Sequence, residues 1–177
     1  HNVNQYGKEF NELRKENSFR GMQWFGKRQS LVEEYGWAIP SEEALIYLSE
    51  FDELLSVGSG RAYWEHLLEQ RGVDIRATDI IPPEETWTTV EQENVYNIDP
   101  TDVPILTIWP PLGGDVAATV AKKGAPQIVY IGEPRGGCTA SDEFFDLIEK
   151  KYGLIAEIEL PSYVGVHDNL YHYVRNV

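Results

Sequence analysis

A glycine pair directly after a short apolar run constrains the fold of this chain more than any other feature. The run covers residues 53–57, and Gly58-Ser59-Gly60 follows it at once. The segment after the glycines has helical spacing and places Trp64, Leu67 and Leu68 on one face. A buried strand, a glycine turn and a helix in this order predict an α/β fold with a parallel sheet.

An acidic residue follows the turn at an informative distance. A second strand is predicted at residues 73–77, and Asp79 lies at its end, about 20 residues beyond Gly60. Glycine amides at a helix start favour a negative ligand group, and a carboxylate at the next strand end can accept two ribose hydroxyls. We therefore predict a nucleoside-like cofactor here, although a turn that only connects a strand to a helix is the alternative.

Nicotinamide dinucleotides are the main rival ligand for such a turn. Their G-x-G-x-x-G pattern requires a third glycine at position 63, where this chain has Tyr63. A tyrosine hinders the close packing of helix on strand that this glycine permits. The dinucleotide interpretation is therefore disfavoured.

The remaining pattern continues the alternation of strands and helices. It predicts a helix capped by Ser41, strands at 87–90, 105–108, 127–131, 155–160 and 170–174, a helix at 115–123, and a helix entered through a capping box at Thr139 and Asp142. The last two strands have no helix between them. We expect a three-layer Rossmann-like domain, mostly parallel, with an antiparallel C-terminal edge hairpin.

The first part of the chain has a different composition. Residues 1–30 show only a weak helical period, so we expect an N-terminal arm or a peripheral helix there, and one domain over residues 31–177. No apolar run approaches the roughly 20 residues of a membrane span, and the first residues are too polar for a signal peptide. A cytoplasmic protein is expected.

Charge and cysteine content limit the function classes. The net charge of −14 disfavours nucleic acid as a partner, because such proteins need a surplus of Lys and Arg on their contact surface, and a local basic patch is the alternative. The single cysteine, Cys138, excludes an internal disulfide and a cysteine-rich metal site. We expect no metal.

The glycine turn also resembles a known family signature. Class I S-adenosylmethionine-dependent methyltransferases carry acid-x-Gly-x-Gly-x-Gly, and residues 56–62 read SVGSGRA. Ser56 stands where the family has an acid that orients the methionine ammonium, and Ala62 stands where it has the third glycine. The strings YGWAIPSEEAL, VGSGRAYWEHLLEQRGVDIRATDI, WPPL and YIGEPRGGCTASDEFF resemble uncharacterised methyltransferase-like Rossmann proteins, from about residue 35 to residue 177.

This resemblance implies S-adenosylmethionine as cofactor and a set of binding residues. It implies Gly58-Ser59-Gly60 at the methionine end, Asp79 with Ile80 around the ribose and adenine, and Asp99 near the adenine amino group. For Asp99 the alternative is a loop carboxylate that caps Thr101.

A second motif, Trp109-Pro110-Pro111-Leu112, follows the strand at 105–108. Class I enzymes that methylate amino groups place Asp or Asn, two prolines and an aromatic residue there. Because both functional ends of that pattern differ here, methylation of nucleic-acid amines loses its support. Trp109 is expected to stack on a planar substrate or to wall the cofactor pocket, and an apolar cap on the sheet edge is the alternative.

Methyl transfer needs little acid or base help once the nucleophile is aligned with the sulfonium. If a catalytic residue exists, the candidates are Glu133 after the fifth strand and His167 or Asp168 in the last hairpin. Glu133 has the alternative of bonding amides in the glycine-rich loop after it. Cys138 lies near a helix start, which can lower a thiol pKa, or it is a small packing residue.

Three residues before the first strand complete the candidates. Tyr35, Trp37 and Pro40 are expected either to form a lid over the methionine moiety or to pack on the sheet. The prediction as a whole is an S-adenosylmethionine-binding protein that acts as a methyltransferase on an unknown acceptor. The alternative is an inactive methyltransferase-like protein with a binding or structural role, for example as a subunit of a larger assembly.

Overall fold

The computed structural model describes residues 3–16 and 21–177. Its helices and strands, in chain order, are α1 Gln5–Arg14, α2 Met22–Tyr35, α3 Glu42–Ser49, β1 Glu53–Val57, α4 Tyr63–Gln70, β2 Asp74–Asp79, β3 Val90–Gln92, a 3₁₀ turn Val95–Asn97, β4 Ile105–Ile108, α5 Val116–Lys122, β5 Gln127–Gly132, α6 Asp142–Lys151, β6 Tyr152–Glu159 and β7 Asn169–Arg175.

The seven strands form one sheet in the order β3-β2-β1-β4-β5-β7-β6. The first five strands in this order pair in parallel, whereas β7 runs antiparallel to both β5 and β6. The predicted mostly parallel sheet with an antiparallel edge hairpin is therefore confirmed. β1 is the middle one of the five parallel strands. Its carboxyl end and the glycine turn therefore lie at the centre of the edge where these strands end.

Helices cover both faces of the sheet. Alternate residues of the central strands point to opposite sides, so that Leu54 and Leu106 join the core under α3 and α4, while Leu55 and Ile105 join the core under α5 and α6. All four side chains are almost completely buried. This arrangement gives the three layers that the alternating pattern predicted.

Two predicted helix starts have different outcomes. The Ser41 hydroxyl accepts from the backbone N–H of Ala44 at 3.1 Å, as predicted. At α6 the cap is Ser141, whose hydroxyl accepts from Phe144 N at 3.2 Å, so the predicted capping box at Thr139 and Asp142 was wrong. Thr139 is instead buried, and its hydroxyl accepts from the backbone of Glu133 at 2.9 Å.

The third strand was predicted too early in the chain. β3 covers Val90–Gln92, whereas Trp87, the first residue of the predicted strand at 87–90, stacks on Tyr35 with ring centroids 5.5 Å apart. The backbone N–H of Trp87 donates to Arg61 O at 2.8 Å. Packing of this large ring against α2 therefore outweighs the strand propensity of the segment.

The N-terminal helices contribute to the main core. Tyr6, Phe10 and Leu13 of α1 and Trp24 of α2 are buried in the same cluster as the residues of α3 and α4. α2 continues through residue 30, so the predicted boundary falls inside a helix. Residues 1–2 and 17–20 of the predicted arm lie outside the described residues. In the described part of the chain, each helix is too short or too polar to cross a membrane.

Candidate functional site

The glycine turn between β1 and α4 needs glycine for its backbone conformation. Gly58 and Gly60 have φ angles of 66° and 54°, in the left-handed region that costs most side chains free energy. A Cβ at Gly60 would meet no atom within 4 Å, and one at Gly58 would lie 3.6 Å from Val116 Cγ1. Strain in the backbone, and not lack of space, therefore explains the residue type.

Asp79 at the end of β2 is in direct contact with this turn. Its Oδ2 accepts from Gly60 N at 2.8 Å, and its Oδ1 accepts from Ile81 N at 3.1 Å. A carboxylate offers about four acceptor positions, so two remain for a ligand. The two features that the sequence predicted to converge are thus joined by a hydrogen bond.

A cavity of about 270 Å³ opens beside Asp79. We call it the Asp79 cavity, and its lining includes Val57, Gly58, Asp79, Ile80, Asn94, Val95, Tyr96, Ile98 and Val116. Its lining is mostly apolar, and it also includes the acidic residues Asp79, Glu93 and Asp115. A flat apolar ring system that carries hydroxyl donors fits such a surface.

Sequence reasoning missed one wall of the Asp79 cavity. Asn94 begins the 3₁₀ turn, where its Oδ1 accepts from Tyr96 N at 3.0 Å, and the Tyr96 hydroxyl donates to Asp115. The segment has no hydrophobic period, and its capping asparagine was the only local signal of the turn.

Asp99 does not line this cavity, although its neighbour Ile98 does. The exposed Asp99 carboxylate accepts from both N and Oγ1 of Thr101, at 3.0 and 2.6 Å. These hydrogen bonds, the Thr101 hydroxyl first, lower the pKa of Asp99. The structure therefore gives Asp99 the capping role that was its alternative.

A second cavity, of about 250 Å³, lies on the other side of the turn. We call it the aromatic cavity, and its lining includes Tyr35, Trp37, Gly58, Ser59, Gly60, Tyr63, Glu65 and Trp109. Trp37 and Trp109 stack with ring centroids 5.0 Å apart and an angle of 12° between their planes. Gly58 lines both cavities, so the two cavities adjoin at the glycine turn.

Solved structures with this arrangement of strands and helices were found by comparison. Magnesium protoporphyrin IX methyltransferase (ChlM) from Synechocystis PCC 6803, with bound SAM, has 8% identity and a TM-score of 0.57 over 99% of this chain and 93% of its own. The Burkholderia thailandensis 1,6-didemethyltoxoflavin-N1-methyltransferase with S-adenosylhomocysteine has 13% identity and a TM-score of 0.53, over 98% and 84%.

A TehB-like SAM-dependent methyltransferase from Corynebacterium glutamicum has 19% identity and a TM-score of 0.50, over 87% of this chain and 97% of its own. The chain has the fold of class I S-adenosylmethionine-dependent methyltransferases. No protein-family model and no curated protein sequence matches it.

Ser56, which stands where the class I pattern has an acid, hydrogen-bonds two other side chains. Ser56 Oγ donates to Glu65 Oε2 at 2.6 Å, and Ser59 Oγ donates to Ser56 Oγ at 2.9 Å. Glu65 comes from the first turn of α4 and is only 1% exposed, and its burial raises the pKa of the carboxyl group. A carboxyl group therefore lies beside Ser56, but it comes from the helix. The helical period gave no sign that this glutamate would be buried.

Two of the catalytic candidates lie away from both cavities. Each oxygen of Glu133 accepts a backbone N–H, Oε1 from Cys138 at 2.8 Å and Oε2 from His167 at 3.0 Å. The His167 side chain is 80% exposed. Neither Glu133 nor His167 is among the described residues that line the two cavities. Glu133 thus makes the amide bonds that were its alternative role.

The thiol of Cys138 is exposed, and its pKa is raised, chiefly because its side chain hydrogen-bonds the Glu133 carboxylate. The helix start therefore does not lower the pKa of this thiol, because the nearby negative charge of Glu133 has the larger effect. Of the three lid candidates, Tyr35 and Trp37 line the aromatic cavity. Pro40 accepts from Asn4 Nδ2 at 2.7 Å through its carbonyl, which ties it to α1.

Proposed function

We propose that the protein binds S-adenosylmethionine across the glycine turn and transfers its methyl group to an acceptor in the aromatic cavity. In this proposal the adenosine lies in the Asp79 cavity, and the methionine extends past Gly58-Ser59-Gly60. The observation that carries the proposal is the contact between Gly60 N and Asp79 Oδ2, because it brings a ribose acceptor and the turn's amides to the boundary of two cavities.

Asp79 and Ile80 serve the nucleoside in this proposal. The carboxylate keeps two acceptor positions for the ribose hydroxyls, and Ile80 lies on the apolar wall next to the base. Asn94, Val95 and Tyr96 complete that wall. The similar structures that contain SAM or S-adenosylhomocysteine support this choice of cofactor.

The packing of Tyr63 argues against a dinucleotide. Tyr63 is the first residue of α4, and its ring contacts Tyr6, Tyr35 and Trp87 with centroid distances of 6.2, 4.8 and 5.0 Å. The dinucleotide pattern requires a glycine at this position, and the chain has instead a large ring that is held by these aromatic contacts. A pyrophosphate that needs close approach of strand and helix is therefore disfavoured.

The acceptor is proposed to enter the aromatic cavity, whose walls suit a flat or apolar group. With a net charge of −14, the chain favours a small molecule or a protein over nucleic acid as acceptor. Alignment of the nucleophile with the sulfonium supplies most of the rate enhancement, and no residue is assigned as an acid or a base.

A protein that binds the cofactor without turnover is the second candidate. It is favoured by Ala62, which occupies the third glycine position of the class I pattern with a left-handed φ of 61°, and by Ser56 in place of the acid. Such a protein would use the same two cavities for binding but would transfer no methyl group.

Isothermal titration calorimetry with S-adenosylmethionine tests the cofactor, and NAD serves as the competing ligand. The proposal expects a dissociation constant in the micromolar range for S-adenosylmethionine, typical of enzyme ligands, and no heat with NAD. Heat with NAD alone would overturn it. Incubation with methyl-tritiated cofactor and fractionated cell extract then separates the two candidates, because only an enzyme moves label to an acceptor.

A further inference from the structure

Trp109, which walls the aromatic cavity, has a backbone conformation that bulky residues rarely adopt. Its φ angle is 51°, in the left-handed region, although a tryptophan gains nothing locally from that geometry. Conformations of this kind persist only where the surrounding structure enforces them. The contacts of Trp109 therefore identify what the fold needs from this residue.

Three contacts fix Trp109 in place. Its backbone N–H donates to Ile131 O at 2.7 Å, its ring stacks on Trp37, and its indole Nε1–H donates to Asp168 Oδ1 at 2.8 Å. The last contact joins the ends of two strands that are not neighbours, because β5 lies between β4 and β7. It is also the only one of the three that determines the direction of the indole N–H.

The burial of the Asp168 carboxyl group is energetically unfavourable. Its side chain is only 1% exposed, and Oδ2 has no hydrogen-bond partner in residues 3–16 and 21–177. A buried carboxyl oxygen without a partner is unfavourable. The Asp168 backbone N–H donates to Ser162 Oγ at 3.0 Å, and its carbonyl accepts from Leu160 N at 3.1 Å. These backbone bonds hold the loop, whereas within the described ranges the carboxyl group hydrogen-bonds the indole alone.

We propose that Asp168 is a positioning residue, which orients the Trp109 indole so that the wall of the aromatic cavity is formed before any ligand binds. Asp168 does not line the cavity itself. Because the N–H donates to Asp168, the Trp109 side chain offers the cavity apolar ring surface and no hydrogen-bond donor. The occupant next to Trp109 is therefore a flat or apolar group. This inference rests on the proposed function of the cavity.

A double-mutant cycle tests the inference, with S-adenosylhomocysteine as the probe in calorimetry, because its homocysteine end is proposed to extend past Gly58-Ser59-Gly60, which line the aromatic cavity. Asp168→Ala is expected to weaken binding about tenfold, because an indole wall that is not held in place must be ordered when the ligand binds. Asp168→Asn is expected to restore affinity to within about threefold of the native protein, because the amide oxygen can still accept from the indole. In a Trp109→Phe background, which lacks the N–H, Asp168→Ala should cause no further loss.

The exposed residue Asp74, at the far end of β2, provides the matched control, and Asp74→Ala should bind like the native protein. Equal losses from Asp168→Ala with and without the Trp109 N–H would overturn the proposal, because Asp168 would then act only on the fold. If Asp168→Ala does not fold, Trp109→Phe alone decides, since unchanged affinity in that variant also contradicts the proposal.

The near-ultraviolet circular dichroism of the stacked Trp37 and Trp109 gives a second readout. The signal should fall in Asp168→Ala and return in Asp168→Asn, with or without a ligand. If the native protein does not bind the probe, the proposed function fails. The spectrum then still tests the positioning role, because an unchanged signal in Asp168→Ala excludes it.

Discussion

The backbone N–H of Gly60 donates to Oδ2 of Asp79 at 2.8 Å, which joins the turn after β1 to the end of β2. The bond leaves acceptor positions of the carboxylate free for a ligand. Gly60 makes this bond from a left-handed backbone conformation, with a φ of 54°. The bond therefore links the stability of the turn to the geometry of the proposed cofactor site.

The conformation of the turn leads to a prediction for Gly60→Ala. This variant should lose about 1–2 kcal/mol of unfolding free energy, because alanine is strained at a φ of 54° while the added methyl meets no atom within 4 Å. Gly26→Ala in the helix α2 is the matched control, and it should gain up to about 1 kcal/mol. Urea denaturation measures both. Similar changes in the two variants would show that the turn is not strained by a side chain.

Ala62→Gly tests the reverse substitution, from alanine to glycine, at the third glycine position of the class I pattern. Its φ of 61° is unfavourable for alanine, so Ala62→Gly relieves about 1–2 kcal/mol of strain and offsets the loss of a buried methyl group. Ala118→Gly, buried in the helix α5, has no strain to relieve. We expect thermal and urea denaturation to find Ala62→Gly more stable than Ala118→Gly by roughly 1–2 kcal/mol. Equal destabilisation would contradict this interpretation.

Asp168 gives the stability a dependence on pH. Burial, and to a smaller extent the Glu133 carboxylate, raise the pKa of Asp168 from 3.8 to about 7, while the Trp109 hydrogen bond lowers it. The folded state thus binds a proton more tightly than the unfolded state. The contribution of Asp168 to the free energy of unfolding is therefore complete below pH 3.8, and it is lost as the pH rises through about 7.

Removing this titration should be visible in a variant. We expect Asp168→Asn to gain roughly 2–3 kcal/mol relative to the native protein between about pH 5 and pH 8, since one pKa unit corresponds to about 1.4 kcal/mol. Urea denaturation at both pH values measures the difference, which cancels titrations shared by the two proteins. A constant difference across this range would mean that Asp168 does not titrate there.

The parts of the fold with a strong local signal were predictable from the sequence. The apolar run at β1, the glycines after it and the Ser41 cap each have a direct physical cause in a few adjacent residues. The antiparallel edge followed from two strands without a helix between them. The meeting of Gly60 and Asp79 followed because parallel neighbouring strands end at the same sheet edge.

The features that depend on distant contacts were not predictable. Trp87 stacks on Tyr35 and displaces the third strand, which no local propensity indicates. In the helical pattern, Glu65 is not on the face formed by Trp64, Leu67 and Leu68, so the sequence predicts that it is exposed. Its burial beside Ser56 is a property of the tertiary structure. Asp99 and Thr101 formed a local capping pair, and the sequence could not decide between this pair and a ligand contact.

The most direct test of the account is the affinity of Asp79→Ala for S-adenosylhomocysteine, measured by calorimetry beside Asp74→Ala. Both substitutions remove a carboxylate from β2, but only Asp79 contacts the glycine turn. We expect Asp79→Ala to bind at least about 30-fold more weakly than the native protein, because two hydrogen bonds to the ribose are lost, and Asp74→Ala to bind normally. Native affinity in a folded Asp79→Ala variant would contradict the central claim that this carboxylate and the glycine turn together hold the cofactor.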